Sequence, residues 1–431
     1  MPWRLAGLWR HSDFNKLWAG QTVSAFGSII GNTALLFTAV LVLDATPSQM
    51  ALVTAAGLAP GVVAGLVAGV WVDRLPRRPV LIGADLGRMV FLSTIPLAAL
   101  LGFLRMEHLY IVAFLTGILT VFFEVAYQSY LPSLVRREDL IEGNSKLSAS
   151  SSIAEVGGFG LAGWLVQLLT APIAILVDAI SFLFSAAFVG LIRAPEPPSL
   201  PVAKRRGLLR EMSEGLRAVL RDPLLRALAG CTLTVNLSFR IFGTVFLLYV
   251  TRDLGFEPGI LGMIFAVGGI SSFLGTVATG RVTRRLGIGR AMVAGLVLMG
   301  LSQVFIPLAQ GATVIAVLLL VAQQLMGDGA FIVYDISQVS LRQALAPERL
   351  LGRVNAGVQF IELGAMLLGL LIGGLLGETL GLRATLVVGA CGTALAALWL
   401  VLSPVWALKA IPASAAETPA AFTSAQGTLE E

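Results

Sequence analysis

The sequence predicts an all-α integral membrane protein, with twelve transmembrane helices in two parallel six-helix bundles about a pseudo-twofold axis along the membrane normal. Three observations carry this expectation. Hydrophobic residues make up 56% of the chain and charged residues 13%, against about 45–50% and about 25% in soluble domains. The apolar residues fall in long runs, among them LLFTAVLVL, ALVTAAGLAPGVVAGLVAGVWV and TVIAVLLLVAQQL. Roughly 20 apolar residues are needed to cross a hydrocarbon slab about 30 Å thick. The second half of the chain also repeats the polar landmarks of the first, at a shift of about 210 residues.

Within lipid only helices and closed barrels satisfy every backbone group. The runs lack a two-residue alternation, which selects helices. Spans are expected at about 17–43, 48–72, 80–104, 109–131, 147–170, 172–192, 225–250, 258–280, 288–309, 312–335, 355–379 and 383–406. Helices five and six meet at Pro172, and helices eleven and twelve at Gly381, so each pair is antiparallel.

Lys and Arg set the orientation. One side collects Arg4, Arg10, Lys16, Arg74, Arg77, Arg78, Arg136, Arg137, Lys146, the run Lys204 to Arg221, Arg281 to Arg290, Arg342, Arg349, Arg353 and Lys409. The other receives Arg105, Arg252 and Arg383. Both termini are therefore expected on the cytoplasmic side of a bacterial inner membrane. The same rule explains the net charge of +5, so nucleic-acid binding is not implied.

The opening MPWRLAGLWRHSDFNKLW has no short apolar core followed by a cleavage site. It reads as a cytoplasmic lead-in with Trp3, Trp9 and Trp18 near the interface. The N-terminal bundle is expected over 1–192 and the C-terminal bundle over 225–406. Between them, 193–224 spaces Leu208, Leu209, Met212, Leu216 and Val219 on one helical face, as in an amphipathic helix on the membrane surface. The tail 407–431, rich in Ala, Thr, Ser and Glu, reads as disordered. Cys231 and Cys391 lie in apolar runs and His11 and His108 are the only histidines, so neither a disulfide framework nor a metal site is expected.

The repeat is specific. DFNKLWAG opens helix one and DPLLRALAG helix seven, bringing Ala19-Gly20 onto Ala229-Gly230. DRLPRRP falls on TRRLGIGR, with Arg74 on Arg284. QSYLPSLVRREDLIEGN falls on QVSLRQALAPERLLGRVN, with Gln128, Leu131, Glu138 and Leu140 on Gln338, Leu341, Glu348 and Leu350. With six helices per half, both copies have the same orientation.

GVWVDRLPRR resembles the signature loop between helices two and three of the major facilitator superfamily, through Gly69, Asp73, Arg74, Arg77 and Arg78. GRVTRRLGIGR resembles a weaker second copy, with Thr283 in place of an acid. DLGRMV, YLPSLVRREDLIEGN, VDAISFLFSAA and ERLLGRVNA are similar to the bacterial branch that holds macrolide-efflux and enterobactin-exporter proteins. The resemblance covers essentially the whole chain. It implies a secondary active transporter without a cofactor, with a cytoplasmic gate in which Asp73 faces the start of helix eleven. There the helix dipole and Arg353 would attract the carboxylate. Asp85 and Arg88, three apart on one face of helix three, are assigned to the same gate as a structural pair.

Ionisable groups in hydrocarbon cost roughly 2.5–3.5 kcal/mol each, so each requires a reason. At about 1.5 Å per residue, Glu155 and Arg240 fall near the middle of the membrane. Glu124 lies toward the cytoplasm and Asp178 toward the outside. Asp328 and Glu362 occupy the inner third, and Asp335 the inner boundary. Asn32 and Asn236 sit at mid-depth. Glu124, Glu155 and Arg240 lead the proton or substrate candidates, with Asn32, Asn236, Asp328 and Glu362 behind them; Asp178 fits a structural role. The competing reading for each is a charge-paired packing anchor. Two family features are absent: helix four has no basic residue, and EVGGFGLAGW carries Phe159 where the antiporter motif has proline. Proton antiport therefore rests on the resemblance and the available acids.

The resulting expectation is efflux of an amphipathic or hydrophobic small molecule, in a pathway with few charges and with Phe122, Phe123, Phe239, Phe242 and Phe360 nearby. The partners would be that substrate, protons and membrane lipid, and the protein a monomer. The alternatives are a lipid or lysophospholipid flippase using Arg240 for a headgroup, and a non-transport scaffold or sensor. No P-loop, HExxH or GxSxG site is present, so an enzyme is not expected.

Overall fold

A computed structural model describes residues 7–72, 75–194, 208–346 and 350–410. The N-terminal bundle contains α1 (Ser12–Phe37), α2 (Pro47–Val72), α3 (Arg77–Leu100), α4 (Met106–Leu134), α5 (Leu140–Leu169) and α6 (Ala171–Gly190). After α7 (Leu208–Arg221) come α8 (Pro223–Leu248), α9 (Pro258–Leu286), α10 (Ile288–Gln303) with α11 (Phe305–Leu308), α12 (Val314–Leu345), α13 (Leu351–Thr379), and α14 (Leu382–Leu395) with α15 (Ala397–Val401). Among the described residues, eleven helical segments are long and apolar enough to cross a membrane. The 26-residue α2, which contains no charged residue, completes twelve. Helices α5, α9 and α12 run on past the expected spans to Leu140, Leu286 and Leu345. Hydropathy marks where lipid ends, whereas a helix continues until its backbone is capped.

The caps are local. His11 Nδ1 accepts from the Phe14 N–H at 3.1 Å at the start of α1. Asp222 accepts from Leu224 and Leu225 at 2.8 and 2.9 Å at the start of α8, with Pro223 in the first turn, where its missing N–H costs nothing.

The repeat is visible in the backbone. Both α1 and α8 end in a widened π-turn, over Thr38–Val42 and Tyr249–Asp253. Ala45 N bonds Ala39 O at 2.9 Å and Phe256 N bonds Val250 O at 3.0 Å, a shift of 211 between copies. The left-handed residues match too, with Asp44 (φ 50°) on Gly255 (φ 74°) and Thr170 (φ 80°) on Gly381 (φ 85°). A glycine fills one copy of each pair because a Cβ is disfavoured there; in the other copy a side chain is retained.

Helix pairing follows the same symmetry. α1 packs on α5 and α6, α2 on α4, and α3 on α4 and α6. In the second half α8 packs on α13 and α14, α9 on α12, and α10 on α12 and α14. The principal contacts between halves are α5 with α9 and α2 with α13, again a symmetry-related pair.

Twelve crossings put both ends of the membrane domain on one face, which carries most of the Lys and Arg and is here called the basic face; its opposite is the distal face. Near the distal face one apolar cluster runs through both halves, joining Phe37, Val53, Val166 and Ile175 to Val245, Leu248, Leu261 and Ile306. Toward the basic face the clusters separate. One holds Phe14, Leu17, Leu81, Tyr130 and Val189, and others hold Met292, Leu296, Tyr334 and Leu400, and Val219, Val354 and Val358. Among the described residues, the halves thus share an apolar cluster at the distal face and none toward the basic face.

The lead-in packs on α5. Leu8 N donates to Glu142 at 3.1 Å, and the Lys146 ammonium lies 4.0 Å from the Trp9 ring, which meets Trp18 edge to face. In the linker, α7 docks on the C-terminal bundle: Val219 is fully buried, and Gly215 lies against the backbone of Arg353; the side chains of Leu208, Leu209 and Met212 lie outside the described residues. The start of the expected tail is held as well, with Ile288 N donating to Lys409 O at 3.3 Å; residues 411–431 lie outside the described residues.

Candidate transport pathway

Distal closure uses small residues and three polar ties. Gly163 on α5 abuts Gly262 and the Pro258 carbonyl on α9 so closely that a Cβ would meet backbone. Gly374 and Gly377 on α13 receive Pro47, Ser48 and Ala51 of α2 in the same way. Small residues let helices in lipid approach and gain dispersion contacts. Arg252 pairs with Asp44 at 2.7 Å. Gln167 donates to Glu257 at 2.7 Å and accepts from Gly259 N at 2.9 Å. Glu378 accepts from the Thr46 hydroxyl at 3.0 Å and Ser48 N at 3.3 Å, against the positive end of α2. From the sequence Arg252 reads only as a distal-side charge and Glu378 as interfacial; none of these residues is assigned to a closure. Their signal was available: acids at the distal helix ends of both halves.

Of the sequence-assigned gate residues, Gly69 belongs to α2, and Asp73 and Arg74 lie outside the described residues. Arg77 begins α3. Arg78 donates to the Val189 and Gly190 carbonyls at the end of α6, a cation on a helix C-terminus. Arg353 pairs with Glu214 of α7 at 2.7 Å. Asp85 and Arg88 sit deeper, inside the N-terminal bundle. They form a buried ion pair, and the guanidinium lies 4.4 Å from the Phe123 ring and 4.0 Å from the Phe182 ring. That position braces α3 against α4 and α6, away from the contacts between halves. Phe123 and Phe242 are buried among helices, so neither is available to line an opening. Phe239 and Phe360 are 42% and 50% exposed.

The deeper candidates divide into three groups. Asp178 is buried against α1 beside Gly27 and Gly31, within 3.5 Å of the Ser28 hydroxyl and 3.3 Å of Ser181. Glu124 is exposed on α4, within electrostatic reach of Arg88. Asn32 is exposed on α1, off the faces that hold α6 through Gly27 and Gly31 and α5 through Phe26 and Ile29. In the second half Glu362 of α13 pairs with Arg342 of α12 at 3.3 Å, and Asp335 lies near the same arginine. Asn236 donates to Thr232 O of its own helix at 2.9 Å. Among the described residues, the Arg240 guanidinium hydrogen-bonds only the Met366 sulfur, at 3.7 Å.

Glu155 and Asp328 come from opposite halves and converge on α9. Asp328 and Gln324 pack on Gly268, while Val156, next to Glu155, packs on Gly269. The two carboxylates are close enough to repel. Among the described residues no cluster of three or more His, Cys, Asp or Glu is arranged to hold a metal ion.

Two matched helical bundles that share a core at one face and separate at the other define a membrane transporter. The chain belongs to the Major Facilitator Superfamily, whose sequence profile matches residues 17–366 and 228–426. It is similar to the multidrug efflux pump Tap of Mycolicibacterium fortuitum, with 28% identity over 78% of this chain and 82% of that one. It is also similar to macrolide efflux protein A of Streptococcus pyogenes, with 30% identity over 48% of this chain and 51% of that one. The fold is that of a bacterial homologue of the iron transporter ferroportin. The TM-score is 0.70 to its inward-facing state, at 19% identity over 92% of this chain and 99% of that one. It is 0.58 to the outward-facing state, at 20% identity over the same shares.

Proposed function

We propose that this transporter exports an amphipathic small molecule by alternating access, driven by proton entry. The observation that carries the reading is the approach of Glu155 and Asp328 from opposite halves: Asp328 packs on Gly268 of α9, Val156 beside Glu155 packs on Gly269, and the two carboxylates are close enough to repel. A proton on either carboxylate removes the repulsion between them, and so links protonation to how closely the halves approach. With the basic face cytoplasmic, as the positive-inside rule requires, the parted side opens inward. Phe239 and Phe360, both exposed at membrane depth, offer apolar surface to a greasy substrate. The names of the two efflux relatives agree with export. The rocking element is the α2–α13 and α5–α9 seam, a hinge between near-rigid bundles. The test is drug-dependent proton uptake in proteoliposomes. Glu155→Gln and Asp328→Asn should each abolish uptake while leaving drug binding intact. Unchanged uptake in both variants would remove this pair from the coupling step.

A further inference from the structure

Arg240 is charged at any attainable pH, and it sits near mid-membrane on α8 with no compensating acid among the described residues. Two other arginines show the ordinary solution, Arg88 within α3 pairing with Asp85 and Arg342 near the basic-face end of α12 with Glu362. Arg240 has neither. Its Nε is buried without a hydrogen-bond partner, and its terminal nitrogen reaches only the Met366 thioether. Leaving a guanidinium unpaired in a low-dielectric environment is costly, so the position calls for an anion that arrives from outside the chain.

The surroundings fit such a visitor. Asn236 lies four residues earlier on the same helical face, with its amide nitrogen turned back to Thr232 O. Gly243 lies three residues later on that face, and a Cβ there would meet nothing within 4 Å. The neighbouring Phe239, stacked on Phe331 of α12 at 6.2 Å, is 42% exposed. An open, aromatic-edged space with one free guanidinium suits a molecule that is apolar over most of its body and anionic at one end.

We propose that Arg240, with Asn236 one turn away, is the subsite for the anionic group of an amphipathic substrate, a phosphate or carboxylate on an apolar body. This rests on the transport reading for its purpose and not for its test, because binding is measured without proton flux. The purified protein in zwitterionic nanodiscs is titrated with dodecyl phosphate below its micelle concentration, and separately with dodecyltrimethylammonium, following intrinsic fluorescence. Dodecyl phosphate should bind saturably, weaken at least tenfold in Arg240→Gln, and stay within about threefold in Arg240→Lys, whose charge is retained. Dodecyltrimethylammonium should bind Arg240→Gln as it binds the parent.

Equal binding of dodecyl phosphate to the parent and Arg240→Gln overturns the subsite, as does its failure to bind the parent. If Arg240→Gln loses both amphiphiles, Arg240→Lys decides, since it must still bind dodecyl phosphate. Lysophosphatidate placed in the nanodisc competes if the anion enters from the leaflet, and fails to compete if it enters from water. Failure here with proton coupling intact would leave the export reading standing with a neutral or cationic cargo.

Discussion

Glu378 at the end of α13 accepts a hydrogen bond from the backbone N–H of Ser48 at the start of α2, at 3.3 Å, tying one half of the protein to the other. The carboxylate meets the positive end of a helix dipole. The arrangement inverts the gate expected from the signature loop, in which an acid at the far end of α2 faces the start of α13. The antiparallel pair α2–α13 therefore offers a helix N-terminus at each face.

The first prediction concerns this latch. Glu378→Ala, or Asp44→Asn opposite Arg252, should favour states open at the distal face. Spin labels at exposed Leu168 and Val314 should report a longer-distance population that grows by roughly two- to fivefold, the scale of an exposed charge contact. The double variant should show the larger shift. An unchanged distance distribution would mean that apolar packing alone holds the closure.

Gly163 tests that packing directly. A methyl group at Gly163 would meet the Pro258 carbonyl and the Gly262 backbone, neither of which moves cheaply. Gly163→Ala should destabilise the distal closure by about 1–3 kcal/mol, read as a lowered melting midpoint and as wider α5–α9 separation. Gly190→Ala, where a Cβ meets nothing within 4 Å, is the control and should melt as the parent does.

The buried pair in the N-terminal bundle should act structurally. Asp85→Asn leaves Arg88 charged between two aromatic rings and should cost about 3–5 kcal/mol, seen as low yield and early melting. Replacing both residues, Asp85→Leu with Arg88→Met, should recover much of that stability, because a matched apolar pair avoids the desolvation penalty. Full stability of Asp85→Asn alone would contradict the pairing.

Arg353 has one partner here and a second expectation. It pairs with Glu214 of α7 at 2.7 Å, each side chain 31% exposed. If Arg353 exchanges this partner for Asp73 when the basic face closes, Glu214→Gln should populate the basic-face-closed state more, and Asp73→Asn less. Cysteine accessibility at Phe360 reads the difference, and the two variants should move it in opposite directions. A shift in the same direction would break the exchange model.

Much of the architecture was legible in the chain. The number of helices and the stretches that cross lipid follow from the cost of exposing backbone to lipid, which acts on every residue in a span and leaves a long apolar signature. The repeat was legible through Arg74 and Arg284 and through the matched polar loops. The same reasoning placed Asp178 as a packing residue, and its seat between Ser28 and Ser181 accords with that. Charge depth could be counted but partnership could not. Counting alone set Arg240 beside Glu124 and Glu155 as equals, and placed Asp85 and Arg88 near the gate as a structural pair without showing what surrounds them.

What the sequence determined by itself was therefore a hydropathic and topological frame: twelve helices, two matched halves, and a face rich in Lys and Arg. Only the tertiary structure decided which charges are satisfied, which face is closed, and that α7 rides on α13. Those outcomes depend on how neighbouring helices approach, on a Gly163 that abuts Gly262 and on an Arg240 that points at a methionine. Such approaches are set by contacts over a few ångströms between residues far apart in the chain, and a one-dimensional pattern does not encode them.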